Sequence, residues 1–208
     1  MSHPIARRLA EAGVVLVVRE TTTEAARARI AAGRAAGLVA FEIALSTPSA
    51  MELIRDLAAD PALLVGAGSV RTAAEAYACG EAGARFLVCP WNEPEIVPAG
   101  KRFGACVMLG ALTPDEVVEA LEGFADAVSV FPAPSLGGPA HIRALRTLFP
   151  DVAFYPSGGI VAPRRCATIA TPARPSSAST ARRASPLSRK TTTPDCRSGG
   201  PRSAARSP

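Results

Sequence analysis

Histidine is nearly absent from this 208-residue chain, with His3 and His141 the only two. The five cysteines, Cys79, Cys89, Cys106, Cys166 and Cys196, are an odd number, form no CxxC pair and have no histidine at ligand spacing. A zinc site or a disulfide framework needs such clusters, so these thiols read as buried or incidental in a reducing compartment, and neither metal nor cofactor is expected. No apolar run approaches the ~20 residues of a membrane span, and Met1 to Arg8 lacks the apolar core of a signal peptide. A dinucleotide fold would carry GxGxxG after its first strand; Gly66-Ala-Gly68 lacks the third glycine and follows the third apolar run. The expectation is a cytoplasmic protein without a membrane partner.

The formal charge of +5 hides a break. Residues 1–160 hold 13 Lys and Arg against 17 Asp and Glu, whereas residues 161–208 hold 10 against one. The chain therefore divides into a mildly acidic body and a basic tail, and averaging the two would wrongly describe a nucleic-acid binder. The tail has no aromatic residue and three large aliphatics, Val161, Ile169 and Leu187, and Arg, Ser, Pro, Ala and Thr supply 39 of its 48 residues. Such a segment cannot bury enough apolar surface to offset its ordering entropy, so it is expected to be disordered. Its composition is also that of GC-rich coding DNA read out of frame, and a frame change near Ala162 to Cys166 is its expected origin. A basic arm for RNA or DNA is the competing reading. Without interleaved aromatics or a folded module it offers only sequence-independent attraction, and no specific nucleic-acid partner is expected.

In the body, short apolar runs alternate with Ala/Glu/Arg-rich segments of helical period, the pattern of βαβ units around a parallel sheet covered on both faces. The runs predict strands over Val14 to Val18, Leu38 to Leu45, Leu63 to Gly66, Arg85 to Cys89, Ala105 to Leu109, Ala127 to Phe131 and Val152 to Tyr155. Helices are predicted over Thr23 to Ala36, Ser49 to Ala59, Thr72 to Ala82, Pro114 to Gly123 and Ala140 to Leu148, several with Thr or Ser at or beside the N-cap. Gly37 and Gly83 are placed to end helices in the left-handed conformation. Seven strands are one short of a (β/α)8 barrel, so the fold expected for residues 1–160 is an α/β, TIM-type barrel, incomplete by its eighth strand, with 161–208 as a separate tail.

In such barrels the functional groups sit at the C-terminal ends of the strands. Those positions hold Arg19, Glu42, Gly68-Ser69, Pro90, Ser129 with Phe131-Pro132, and Ser157-Gly158-Gly159. Glu42 interrupts the apolar run Val39-Ala-Phe-Glu-Ile-Ala-Leu45, where burial would raise its pKa toward the range useful for proton transfer. A structural ion pair between Glu42 and Arg19 is the other reading of both residues. The glycine clusters after strands suit a phosphate or carboxylate, although glycines there usually just make turns.

Taken together, Arg19, Phe41-Glu-Ile-Ala-Leu45, Gly66-Ala-Gly-Ser-Val70, Ser129-Val-Phe-Pro132, Leu136-Gly-Gly-Pro-Ala-His-Ile-Arg-Ala-Leu145 and Gly158-Gly-Ile160 resemble, in order and spacing, the landmarks of the 2-keto-3-deoxy-6-phosphogluconate and 2-keto-3-deoxy-6-phosphogalactonate aldolases. The galactonate branch fits somewhat better through Arg19 and Ser46-Thr-Pro48. The resemblance implies a (β/α)8 barrel, usually a homotrimer. It also implies reversible cleavage of a phosphorylated 2-keto-3-deoxy sugar acid to pyruvate and glyceraldehyde 3-phosphate through a lysine Schiff base. By the same resemblance Glu42 moves protons, Arg19 and Ser69 hold the pyruvate end, Pro90 lines the substrate site, and Gly158 and Gly159 help to hold phosphate.

The chain departs from that pattern at the position of the Schiff-base lysine, which is Ser129 and cannot form an imine. Its two lysines are Lys101, expected on the opposite face of the barrel, and Lys190 in the tail. The expected ligand is a keto acid or phosphorylated sugar acid. The expected activity is that of a carbon–carbon lyase by family, with a non-catalytic binder of such acids as the alternative.

Overall fold

The computed structural model describes residues 3–160. Helix α1 (Pro4–Ala12) is followed by β1 (Leu16–Val18), α2 (Thr23–Ala35), β2 (Ala40–Ala44), α3 (Ala50–Ala58), β3 (Leu64–Gly68), α4 (Ala73–Glu81) and β4 (Phe86–Val88). The order continues with α5 (Ile96–Arg102), β5 (Cys106–Gly110), α6 (Pro114–Glu122), β6 (Ala127–Val130), a short 3-10 helix (Ala133–Leu136), α7 (Pro139–Leu148) and β7 (Phe154–Pro156). All seven strands pair in parallel and in sequence order, as the alternating pattern predicts.

One hydrogen bond reports the curvature of this sheet. Strands lie about 4.8 Å apart, so five steps across a flat sheet would separate β2 from β7 by roughly 24 Å. The Tyr155 hydroxyl on β7 instead donates to the Glu42 carboxylate on β2 at 2.7 Å. The sheet therefore curls until its distant strands face each other, which is barrel geometry. Among the described residues β1 pairs with β2 and β7 with β6. The expectations of a missing eighth strand and of a disordered, frameshifted tail fall on residues 161–208, outside the described residues.

The strands alternate between two cores. Phe41, Ile43, Val65, Leu87, Val107, Leu109, Val128, Val130 and Phe154 point outward and pack with the buried sides of the helices. Ala40, Leu64, Phe86, Cys106, Met108, Ala127, Ala153 and Tyr155 belong to a second, inner cluster with Ile5, Ala6 and Leu9 of α1. Helix α1, which the apolar runs do not announce, thus covers the inner core from its N-terminal side. Its N-cap is His3, whose Nδ1 accepts from the Ile5 N–H at 3.2 Å.

Thr22, Thr72 and Thr113 cap α2, α4 and α6 by accepting from backbone N–H groups three residues on, as expected. Ser49 departs from this. It precedes α3 at φ +58° and makes no side-chain cap bond. Gly37 and Gly83 take the left-handed conformation at φ +80° and +96°. β3 runs two residues past its predicted end, because Gly66 and Gly68 are strand residues rather than a turn. A Cβ on Gly66 would overlap the Phe86 ring, and one on Gly68 would overlap the Glu42 carboxylate. Cys79, Cys89 and Cys106 are buried free thiols, and burial pushes the first two up to about 12 and about 11.

Candidate active site

The loops after β1, β2 and β3 meet at the Arg19 guanidinium. Its Nη1 donates to Ser46 Oγ and its Nη2 to Ser69 Oγ, both at 2.9 Å. Thr47, only 2% exposed, holds the backbone on either side of Arg19: Oγ1 donates to the Val18 carbonyl at 3.2 Å and accepts from the Glu20 N–H at 3.4 Å. Ser69 adopts φ +60°, a conformation that L-residues rarely take, and this places its hydroxyl on Arg19 at the end of β3. The result is a cation presented on a rigid frame.

Glu42 lies mid-strand on β2, on the inner face, and is 5% exposed. Oε2 accepts from Tyr155, while Oε1 lies against Gly68. Burial pushes the carboxyl above its ordinary value, and the Tyr155 hydrogen bond and the Arg19 charge pull the other way. Burial and the adjacent carboxylate in turn push the Tyr155 phenol well above its usual value. The ion pair between Glu42 and Arg19 is not formed. Arg19 gives two of its five N–H donors to serines, and the partner of Glu42 is a phenol from the far side of the sheet.

Ser129 occupies β6 on the inner face, in register with Gly110 on one side and Tyr155 on the other. It is 1% exposed and its Oγ has no hydrogen-bond partner. A buried hydroxyl without a hydrogen bond costs about 1–3 kcal/mol. Lys101 does not reach it. Its Nζ is 3.6 Å from Asp126, the residue before β6, and three residues of strand add about 10 Å. Lys101 therefore sits at the N-terminal side, as expected.

Pro90 follows β4 by two residues, and its carbonyl lies where a Cβ on Gly110 would stand. The Trp91 carbonyl accepts from the Gly110 N–H at 2.9 Å, which ties this loop to the end of β5. Gly158 and Gly159 follow β7 at φ +80° and +68°, and the Phe131 ring fills the space of a Gly158 side chain. The Ser157 N–H donates to the Val130 carbonyl and the Ser157 carbonyl accepts from the Ala133 N–H, each at 2.9 Å, which ties the loop after β7 to the end of β6 and the loop after it. Arg19, Ser69, Pro90, Gly158 and Gly159 thus all stand at C-terminal strand ends, while Glu42 and Ser129 project into the barrel.

Tyr155 and Thr47 are the polar residues that the sequence reading missed. Both had a signal. Tyr155 is two residues from Ala153 and so shares its inward face, where a phenol must find a partner. Thr47 lies between Ser46 and Pro48, next to the end of a strand.

A family model described as "Aldolase: KDPG and KHG aldolase" matches residues 5–173, so the matched span runs past Ile160. The 2-dehydro-3-deoxy-phosphogluconate aldolase of Pseudoalteromonas atlantica is 32% identical over 127 residues, 61% of this chain and 59% of that protein. The 2-dehydro-3-deoxy-6-phosphogalactonate aldolase of Escherichia coli is 32% identical over 151 residues, 71% of this chain and 73% of that one. Among solved structures, the KDPG aldolase of Legionella pneumophila, with pyruvate captured as a covalent carbinolamine intermediate, superposes with a TM-score of 0.67 at 30% identity. That match covers 75% of this chain and 76% of the Legionella chain.

Proposed function

The chain belongs to the KDPG and KHG aldolase family, and from that membership we propose that its barrel binds the pyruvate end of a 2-keto-3-deoxy-6-phospho sugar acid without carrying it through an imine. The observation that supports this most is the arrangement of Arg19, Ser69 and Glu42 on three consecutive strands: a cation held by two hydroxyls at the mouth, and a buried carboxyl below it. The guanidinium suits the ligand carboxylate. A carboxyl whose pKa burial raises is suited to exchanging a proton with a keto oxygen.

The step that the chain lacks is the covalent one. Cleavage in this family draws electrons into a protonated imine, which requires a primary amine beside the keto carbon. At the position that matches the family lysine the chain has Ser129, whose buried hydroxyl cannot form an imine. Gly158 and Gly159, with positive φ and no side chains, serve as the phosphate end of the site.

Thermal denaturation in the presence of pyruvate and of 2-keto-3-deoxy-6-phosphogluconate and its galactonate isomer tests the binding. Each bound ligand should raise the melting temperature, by the equivalent of about 2.7 kcal/mol at a hundred times its Kd. Borohydride with pyruvate should leave the parent unmodified and give one adduct on Ser129→Lys. No stabilisation by any of the three acids would sink the reading, and a reducible adduct on the parent would make the site covalent after all.

A further inference from the structure

Glu42 and Tyr155 are both buried, and neither is explained by the demands of the core, since two apolar residues would fill the same space without desolvating a carboxyl. What the pair does is divide the two oxygens of Glu42. Oε2 is occupied by the Tyr155 hydroxyl at 2.7 Å. Oε1 lies over Gly68, where any Cβ would overlap it, and Gly68 immediately precedes Ser69, the acceptor of Arg19. On the other side of Tyr155, in strand register, stands Ser129 with its unpartnered hydroxyl.

We propose that Tyr155 is a positioning residue for Glu42: by holding Oε2 it directs Oε1 to the mouth of the barrel, so that one oxygen faces the ligand and the other is fixed. This rests on the keto-acid reading of the site given above. The phenol is suited to the role because burial and the adjacent carboxylate push its pKa well above the usual value, which favours the protonated, donating form. The charged and titratable groups that act on Glu42 are Arg19 at the end of β1 and Tyr155 on β7. The facing residues of β3, Gly66 and Gly68, carry no side chain, and β6 supplies only the Ser129 hydroxyl.

Tyr155→Phe removes one oxygen and keeps the ring, so the inner core retains its volume. Two measurements on the full chain read the effect. In the ligand-free protein, the 13C resonance of the Glu42 side-chain carboxyl, assigned by its loss in Glu42→Gln, should titrate about one pH unit higher in Tyr155→Phe, because the charged form has lost its donor. Pyruvate affinity should fall as Glu42 ionises and repels the ligand carboxylate. In Tyr155→Phe that fall should move up by the same interval, with the low-pH affinity about five- to tenfold weaker because Oε1 is no longer directed.

A purely structural tyrosine would lower the melting temperature and leave both profiles where they were, which would overturn the proposal. Failure of the parent to bind pyruvate at any pH would instead remove the keto-acid reading, while the ligand-free titration would still decide whether Tyr155 governs the protonation of Glu42.

Discussion

Gly68 and Glu42 share one space: the place a Cβ would take at position 68 is occupied by Glu42 Oε1. The glycine is therefore a requirement of the carboxylate on β2, which reaches it diagonally, since in strand register Glu42 lies opposite Gly66 and Gly68 opposite Ala44. Gly68→Ala should push the carboxyl off its present line, with a loss of about 1–3 kcal/mol from overpacking in a close-packed interior. Denaturant midpoints should fall and pyruvate affinity should fall with them. An alanine variant with parental stability and affinity would mean that Glu42 relocates freely.

Thr47 is the residue that fixes where Arg19 stands, through the Val18 carbonyl and the Glu20 N–H. Thr47→Val keeps the shape and removes one buried hydrogen bond, to the Val18 carbonyl, and one half-buried, from the Glu20 N–H, at about 1–3 kcal/mol. Thr47→Ser should restore most of that. Urea unfolding of the two variants checks the stability, and calorimetric titration with pyruvate checks whether a loosened Arg19 also weakens binding.

The buried carboxyl gives stability a pH dependence with a definite sign. The folded protein retains the Glu42 proton to a higher pH than the unfolded chain, because burial raises its pKa. The contribution of this group is therefore fully present below the unfolded carboxyl value, about 4.3, and is lost as pH rises toward the folded value. Glu42→Gln should lack that loss. The unfolding free energy of the variant relative to the parent should increase from pH 4 to pH 8, and a difference that is flat or opposite in sign would show that Glu42 is not raised.

Ser129 offers a test of stability against function. Its hydroxyl has no partner, so Ser129→Ala should stabilise the fold, by about 1 kcal/mol in thermal or urea unfolding. Pyruvate binding should weaken in the same variant if the hydroxyl faces the ligand. Greater stability with unchanged affinity would remove Ser129 from the site.

Much of the fold was legible along the chain. The alternation of apolar runs with helical segments is a local consequence of what each face must bury, so the seven strands, their order and the threonine caps could all be read from residue types at fixed spacing. The candidates Arg19, Ser69, Pro90, Gly158 and Gly159 could be picked out by the same means, because strand ends are visible in sequence, whereas Glu42 stood out as a carboxylate inside an apolar run and Ser129 through the family resemblance. Helix α1 was not, since its role is to cover an inner core that exists only once the sheet has curled. The sequence could offer Glu42 an ion pair with Arg19, its neighbour at the next strand end. The tertiary structure decided otherwise. Curling the sheet brought Tyr155 within 2.7 Å of a residue 113 positions away, and set Gly68 beneath the same carboxylate, so the geometry of the acid came from contacts that no local pattern encodes.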